Sequence, residues 1–251
     1  MTLSFNTADD AGTFTFSGAS EWSRIDDNGS LASRIADQLA EAIVSGDLKS
    51  GTILAEPEIA KAFGVSRTSV REALYMLEHD ELVARPARRS ARVATVTEKQ
   101  ALDIYICRAY LYGLSARMCV AQLTEGDLSE LCHILSLMDA AVDRDDTREY
   151  YRLNLAFHGY LGEASGNEML LKLMVSMGKR TLRFRYMSLT ISGVMAASLS
   201  RHHLLMEELI RRDAEAAERR VREIVSSAGD AVLMHFFGNP SLGVSKEVMN
   251  W

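Results

Sequence analysis

The sequence predicts a mostly α-helical protein: an N-terminal winged helix-turn-helix domain with a small β-hairpin wing, followed by an all-α helical bundle. Three observations predict it. Residues 54–77, LAEPEIAKAFGVSRTSVREALYML, read as two short helices joined by a tight turn. The stretch that follows, LVARPARRSARVATV, reads as strand, turn, strand. From Thr97 to about Phe237, apolar residues recur at helical spacing with few interruptions.

The helix pair is the most specific of the three. Ile59, Ala60 and Phe63 share one side of its first helix, and Gly64 ends that helix in a conformation that favours glycine. Ala60 is small enough for a close crossing, and Val70 plugs the angle between the helices. The second helix opens on Ser66 as its N-cap and buries Val70, Ala73, Leu74 and Leu77. That leaves Arg67, Thr68, Ser69 and Arg71 facing outward near its start, where a recognition helix meets base edges and phosphates. An ordinary helical hairpin with a solvated polar start is the competing reading.

Around this pair the chain divides into four parts. Residues 1–29 are rich in Ser, Thr, Gly, Asp and Asn and read as a mobile arm. Residues 30–96 form the DNA-binding domain, beginning with a helix marked by Leu31, Ile35, Leu39 and Ile43 between Ser30 and Gly46. Thr52, Ile53 and Leu54 are a short extended link. In the wing, Leu82 to Ala84 and Ala91 to Val96 are the strands, and Arg85, Arg88, Arg89 and Arg92 crowd the tip and sides. Such a tip can lie along phosphates or enter the minor groove. Residues 97–238 form the bundle, with helices predicted over 98–122, 125–143, 147–164, 168–189, 196–212 and 214–237. Residues 239–251 read as a tail.

Composition limits the alternatives. Of 251 residues, 47% are hydrophobic, which suffices for two cores, and only 3 are proline, which suits helices. The net charge of −6 does not exclude DNA. Asp9, Asp10, Glu21, Asp26 and Asp27 hold much of the acid excess, while residues 67–92 are locally basic, and screening makes the local field decisive. Cys107, Cys119 and Cys132 lack metal spacing and read as buried thiols in a reducing compartment. The N-terminus lacks a signal-peptide pattern, no apolar run is long enough for a bilayer, and the expected location is cytoplasmic.

These features together resemble the GntR family of bacterial transcription regulators. The segments that carry the likeness are LASRIADQLAEAIVSGDLKSG and EIAKAFGVSRTSVREAL in the first domain. In the bundle they are Arg108, LNLAFHGYLGEASGN at 153–167 and HHLLMEELIRRDAEAAERR at 202–220, which are similar to the FCD sensor domain of the FadR-type branch. The resemblance implies a homodimer that binds an imperfect palindromic operator in double-stranded DNA and answers to a small effector. It places Ser66, Arg67, Thr68, Ser69, Arg71, Arg85, Arg88 and Arg89 at the DNA. Two departures stand out: Pro57 occupies a position where many members carry Arg, and the wing turn PARRS lacks the usual Gly.

In many members the bundle holds a divalent metal, and the matching positions here are Asn154, His158, His202 and Ile224. Only His158 and His202 retain a good ligand type, so no metal cofactor is expected. Asn154 and His158 nevertheless fall on an apolar stripe with Tyr150, Leu153, Phe157 and Leu161. One reading joins Arg108, Tyr112, Asn154, His158 and His202 into a site for a small carboxylate effector. The other is a polar remnant satisfied internally, in a regulator insensitive to effectors. Helical phase leaves open which of His202 and His203 points inward. Arg180, Arg183 and Arg185 are expected on a solvated face. With no nucleophile–base pair, no phosphate loop and no complete ligand set, no enzyme is expected; a metal-assisted helical enzyme is the rival from another class.

Overall fold

In the computed structural model, residues 4–8, 13–17, 30–87, 89–239 and 243–248 are described. The chain divides into two compact units, residues 1–95 and 96–251.

The first unit contains strands β1 (Ser4–Ala8) and β2 (Thr13–Ser17), which pair antiparallel with Phe5 opposite Phe16. The composition of the 1–29 arm does not announce this ribbon, although the alternation TFTFS fits it. Helix α1 (Leu31–Ser45) is capped by Ser30, whose hydroxyl accepts from the Ser33 N–H, and ends at Gly46. Strand β3 (Ile53–Leu54) leads to α2 (Glu56–Phe63) and α3 (Arg67–His79). Strands β4 (Val83–Ala84) and β5 (Ala91–Val93) form the wing. They are shorter than the predicted strands. The linker strand β3 joins them, so the sheet is antiparallel with the order β3-β5-β4.

Gly64 adopts φ +66°, and its neighbour Val65 donates to the Ala60 carbonyl, closing the turn between α2 and α3. Ile35, Leu39, Ile43, Ile59, Val70 and Leu74 are buried together in the core of this unit. Each fully buried side chain of this size contributes about 1.5–3 kcal/mol, so the α3 axis is held while its opposite side stays wet. Leu31, the first of the apolar residues that mark α1, is exposed.

The second unit comprises α4 (Glu98–Cys119), α5 (Glu125–Asp143), α6 (Thr147–Ala164), α7 (Glu168–Leu189), α8 (Val194–Ile210), α9 (Ala214–Phe237) and α10 (Val244–Val248). Capping explains the starts. Thr97 and Gln100 form a capping box, as do Thr124 and Asp127, while Asp146, Asn167 and Asp213 each accept from a backbone N–H of the first turn. Tyr105, Ala109, Leu131, Phe157, Leu205 and Val221 are among the residues of a continuous core. Helices α4 and α9 run closely together. A Cβ at Gly229 on α9 would lie 2.9 Å from Cγ of Tyr105 and 2.7 Å from Cγ2 of Val244, so no larger residue fits there without movement.

Two expectations are corrected here. The region read as a tail contains α10, whose Val244 and Val248 are buried in the bundle core. Of the cysteines only Cys119 is buried; Cys107 and Cys132 are exposed. Burial pushes the Cys119 thiol up to about 12. Among the described residues, no helix is long and apolar enough to cross a membrane.

Candidate nucleic-acid interface and effector cavity

In the first unit, Ser66 caps α3 by accepting from the Ser69 N–H at 3.2 Å, and the two hydroxyls are 3.0 Å apart. Ser66 is therefore exposed but committed to the helix, while Arg67 and Thr68 are exposed. Arg71 is half exposed and engaged: its Nε and Nη2 donate to the two carboxylate oxygens of Glu56 at 3.1 and 2.8 Å. This fork-to-fork pairing fixes the plane of the guanidinium. The Arg71 hydrogen bond holds the Glu56 carboxyl below the usual range, against the smaller opposing effect of burial. Arg85 approaches the same carboxylate at 3.7 Å and stacks 3.9 Å above the Tyr75 ring.

Arg85 is thus packed at the base of the wing, not crowding its tip; its carboxylate and aromatic partners both lie within this unit. At the turn, Arg89 is exposed, and its N–H donates to the Pro86 carbonyl at 3.1 Å. Arg88 lies outside the described residues. Pro57 sits in the first turn of α2, where it needs no donor.

In the second unit a cavity of about 410 Å³ is lined by Arg108 on α4, Asn154 and His158 on α6, Arg185 on α7, Ser198 on α8 and Ile224 on α9, among others. Tyr150, Leu153, Phe157 and Leu161 are buried and anchor α6 in the core, which aims Asn154 and His158 inward. His202 is fully buried and stands behind that wall. Its Nδ1 lies 2.8 Å from the Ser198 carbonyl, and its Nε2 is 3.2 Å from Asn154 Nδ2 and 3.3 Å from His158 Nε2. A proton on Nδ1, bonded to the carbonyl, leaves Nε2 to accept. Phe157 meets both imidazoles edge-on, at 5.9 and 5.3 Å between ring centroids.

Burial holds both histidines in the neutral form. It pushes His202 down to about 4, and it holds His158 well below its ordinary value, assisted by His202 and by the charges of Arg185 and Arg108. His203 instead turns outward to Asp139 at 2.7 Å, so His202 is the inward member of the pair.

The cations are the distinctive part of this site. Arg185 donates from Nη2 to Asn154 Oδ1 at 3.0 Å. Arg108 is only 3% exposed, and its Nε and Nη1 find no hydrogen-bond partner among the described residues. Its guanidinium lies 5.1 and 4.9 Å from the Tyr105 and Tyr112 ring centroids. Burial pushes the Tyr112 phenol up, but the charges of Arg185 and Arg108 outweigh this and leave it below its ordinary value.

Comparison with known proteins decides the family. A family model described as bacterial regulatory proteins, gntR family, matches residues 31–93, and an FCD domain model matches residues 103–227. The HTH-type transcriptional regulator YdhC of Bacillus subtilis is 30% identical over 187 residues, which span 74% of this chain and 83% of that protein. The chain belongs to the GntR family of transcriptional regulators and carries an FCD domain.

The gluconate operon transcriptional repressor of Bacillus subtilis is 37% identical over 125 residues, 50% of this chain and 51% of the repressor. Among solved structures, McbR/YncC of E. coli superposes with a TM-score of 0.72 at 23% identity, covering 83% of this chain and 99% of that one. A GntR transcriptional regulator from Rhodococcus sp. RHA1 gives 0.68 at 26% identity, with 82% and 99% covered. The fold is therefore that of GntR regulators: a winged helix-turn-helix unit and a helical bundle.

Within this GntR-family chain, the sequence-predicted residues separate into groups. Arg67, Thr68 and Arg71 share the outward side of α3, and Ser69 is half-buried beside its cap. Arg108, Asn154 and His158 line one cavity, with His202 one hydrogen bond behind. Tyr112 is not part of the lining; it backs the Arg108 guanidinium. Arg185, expected on a solvated face, is buried and lines the cavity, because that side of α7 turns inward. The side chains of Arg180 and Arg183 lie outside the described residues. Sequence reasoning also missed Glu56. Its only signal is a carboxylate in the first turn of α2, fifteen residues before Arg71, a separation that becomes a contact only when the two helices cross.

Proposed function

We propose that this GntR-family regulator binds an imperfect palindromic operator as a homodimer and responds to a small carboxylate held in the bundle cavity. The observation that carries the DNA half is the division of α3. Val70, Ala73, Leu74 and Leu77 are buried on one side, while Arg67, Thr68 and Arg71 present donors on the other. Arg71, Arg67, Thr68 and Ser69 read the major groove, and Ser66 holds the turn in place. Arg88 and Arg89 follow the phosphates, with Arg85 supporting the wing from below. The two reading helices of a dimer enter grooves roughly one DNA turn, ~34 Å, apart.

Several features support the finer points. Met169 and Leu173, one turn apart on α7, are exposed at 64% and 44%, an apolar strip of the kind that association covers. The relatives that repress a gluconate operon fit a repressor with a carboxylate signal. The effector acts by preferring one of two arrangements of the protein, so the shift in operator affinity equals its differential affinity for them. Among the described residues no hydroxyl or thiol is hydrogen-bonded to either imidazole of the site, whose contacts are Asn154, the Ser198 carbonyl and each other; this arrangement suits a sensor better than a catalyst.

Selection from a random duplex library at fixed salt tests the reading. The wild-type chain is expected to enrich a two-fold-related sequence, and Arg71→Ala to lose that enrichment while keeping weak, salt-sensitive binding. Equal enrichment by the variant contradicts the role of α3. Sedimentation of the full chain tests the dimer, and a monomer at operator-saturating concentration contradicts it.

A further inference from the structure

The GntR/FCD assignment raises the question of a divalent metal, and the donor set here fits one poorly. Two imidazole nitrogens 3.3 Å apart would make one edge of a coordination shell. The remaining positions do not complete it. Asn154 Oδ1 already accepts from Arg185, Asn154 Nδ2 faces His202, and Ile224 offers only hydrocarbon. No group of three or more His, Cys, Asp or Glu that could hold a metal occurs among the described residues. A transition metal normally takes three or four good protein ligands.

Charge points the same way. The cavity is lined by Arg108, Arg185 and Arg201 and by no Asp or Glu. Among the described residues, no carboxylate forms an ion pair with Arg108 or Arg185, although both are buried. Burying an unpaired charge is costly, and two cations sharing one cavity add repulsion. A divalent cation there would raise both costs. An anion would remove both, and the two unpartnered nitrogens of Arg108 are hydrogen-bond donors without an acceptor.

We propose that the cavity binds, without a metal ion, a small molecule bearing two negative charges, which Arg108 and Arg185 neutralise directly. This deepens the effector reading above and rests on it. Arg185 does the work a metal would otherwise do: it draws an anion inward and holds Asn154 in orientation through the 3.0 Å bond. His158, uncharged and backed by His202, supplies the polar floor. Leu189, Val194 and Val225 line a side suited to a short carbon body, and Ser192 and Ser198 offer hydroxyls for its polar substituents. A dicarboxylate and a phosphate monoester share this chemistry. A volume of about 410 Å³ admits either.

The test uses the full chain, stripped with EDTA, checked for metal by elemental analysis and titrated calorimetrically. One arm uses malonate, succinate and glutarate; a second uses glycerol phosphate; a third uses butyrate and gluconate as single-charge controls. At least one dianion is expected to bind in EDTA about 10- to 100-fold more tightly than the controls, the value of a further charged hydrogen-bonded contact. Adding zinc, nickel or manganese is expected to leave that affinity unchanged. The dicarboxylate and phosphate arms then separate the two sources. Arg185→Gln and Arg108→Gln should each bring the dianion down to the single-charge level, with circular dichroism checking the fold.

Binding that appears only after metal is restored overturns the proposal, and so does equal affinity for controls and dianions. Both comparisons use the wild-type protein, so neither depends on a variant that folds. If no anion of either charge binds, with metal or without, the effector reading itself fails along with this refinement.

Discussion

Arg71 in the first unit and Arg108 in the second are both helical arginines, yet they meet opposite electrostatic conditions. Arg71 is half exposed and already holds a carboxylate in a bidentate grip. Arg108 is buried, stacked near two aromatic rings and short of acceptors at two nitrogens. Water can solvate the first whether or not Glu56 lets go, so exchanging that carboxylate for a guanine edge or a phosphate costs little. The second has no such fallback. On the reading proposed above, its neutralisation comes from an anion that enters the cavity. A cation on the surface is thereby suited to a large polyanion met by its face, and a cation in a cavity to a small anion that can be enclosed.

The contrast can be broken most severely at Phe157, whose ring supports both imidazoles. Phe157→Ala should destabilise the second unit by about 3–5 kcal/mol, as loss of a buried ring does. Hydrogen exchange should show lost protection in α6 and α8, with α1 and α3 unchanged. Comparable loss in both units would mean that the two cores are not energetically separate.

Acid should expose the same asymmetry. Folded His202 lies at about 4 and its unfolded counterpart near the ordinary 6.5. Above about 6.5 both states are neutral there and no penalty exists. As pH falls toward 4, the unfolded chain takes up a proton that the folded chain refuses, and stability drops by on the order of 3 kcal/mol. Urea midpoints between pH 7 and 4.5 should therefore fall less steeply in His202→Gln than in the wild type. Parallel slopes would remove His202 from the acid response.

Removing the buried cation sharpens the comparison in the opposite direction. Arg108→Met should raise the stability of the ligand-free protein by about 1–3 kcal/mol, because an uncompensated buried charge gives way to an apolar chain of similar reach. A lower melting temperature for that variant would show that Arg108 is satisfied without a ligand. The smallest thermodynamic effect belongs to the surface. Arg71→Ala should leave melting almost unchanged and weaken specific operator binding roughly 10- to 100-fold, the range of one bidentate base contact. Fluorescence anisotropy at constant salt measures it.

Helix positions were legible in the sequence because they are decided locally. Ser30, Ser66, Thr97, Thr124, Asp146 and the glycines 46 and 64 satisfy helix ends through their own side chains or backbone freedom. The polar residues of α6 were also visible, since Asn154 and His158 interrupt a regular apolar stripe. What escaped depends on contacts between distant elements. Arg185 follows a run of basic residues on α7 that looks solvated until α4 and α6 surround one side of it. Glu56 and Arg71 meet only because α2 and α3 cross. Cys107 and Cys132 sit beside apolar neighbours in sequence, but the helical turn carries their sulfurs outward. The third strand of the sheet needed knowledge of where a two-residue linker returns in space.

Helix α10 has a practical consequence. Val244 fills the hollow left over Gly229, and the Val248 carbonyl accepts from the Tyr110 hydroxyl at 3.4 Å. These five residues act as a plug over a greasy trough between the helices that begin and end the bundle. A shortened recombinant version lacking them would carry that trough bare and is expected to clump, mimicking a folding defect unrelated to DNA or ligand.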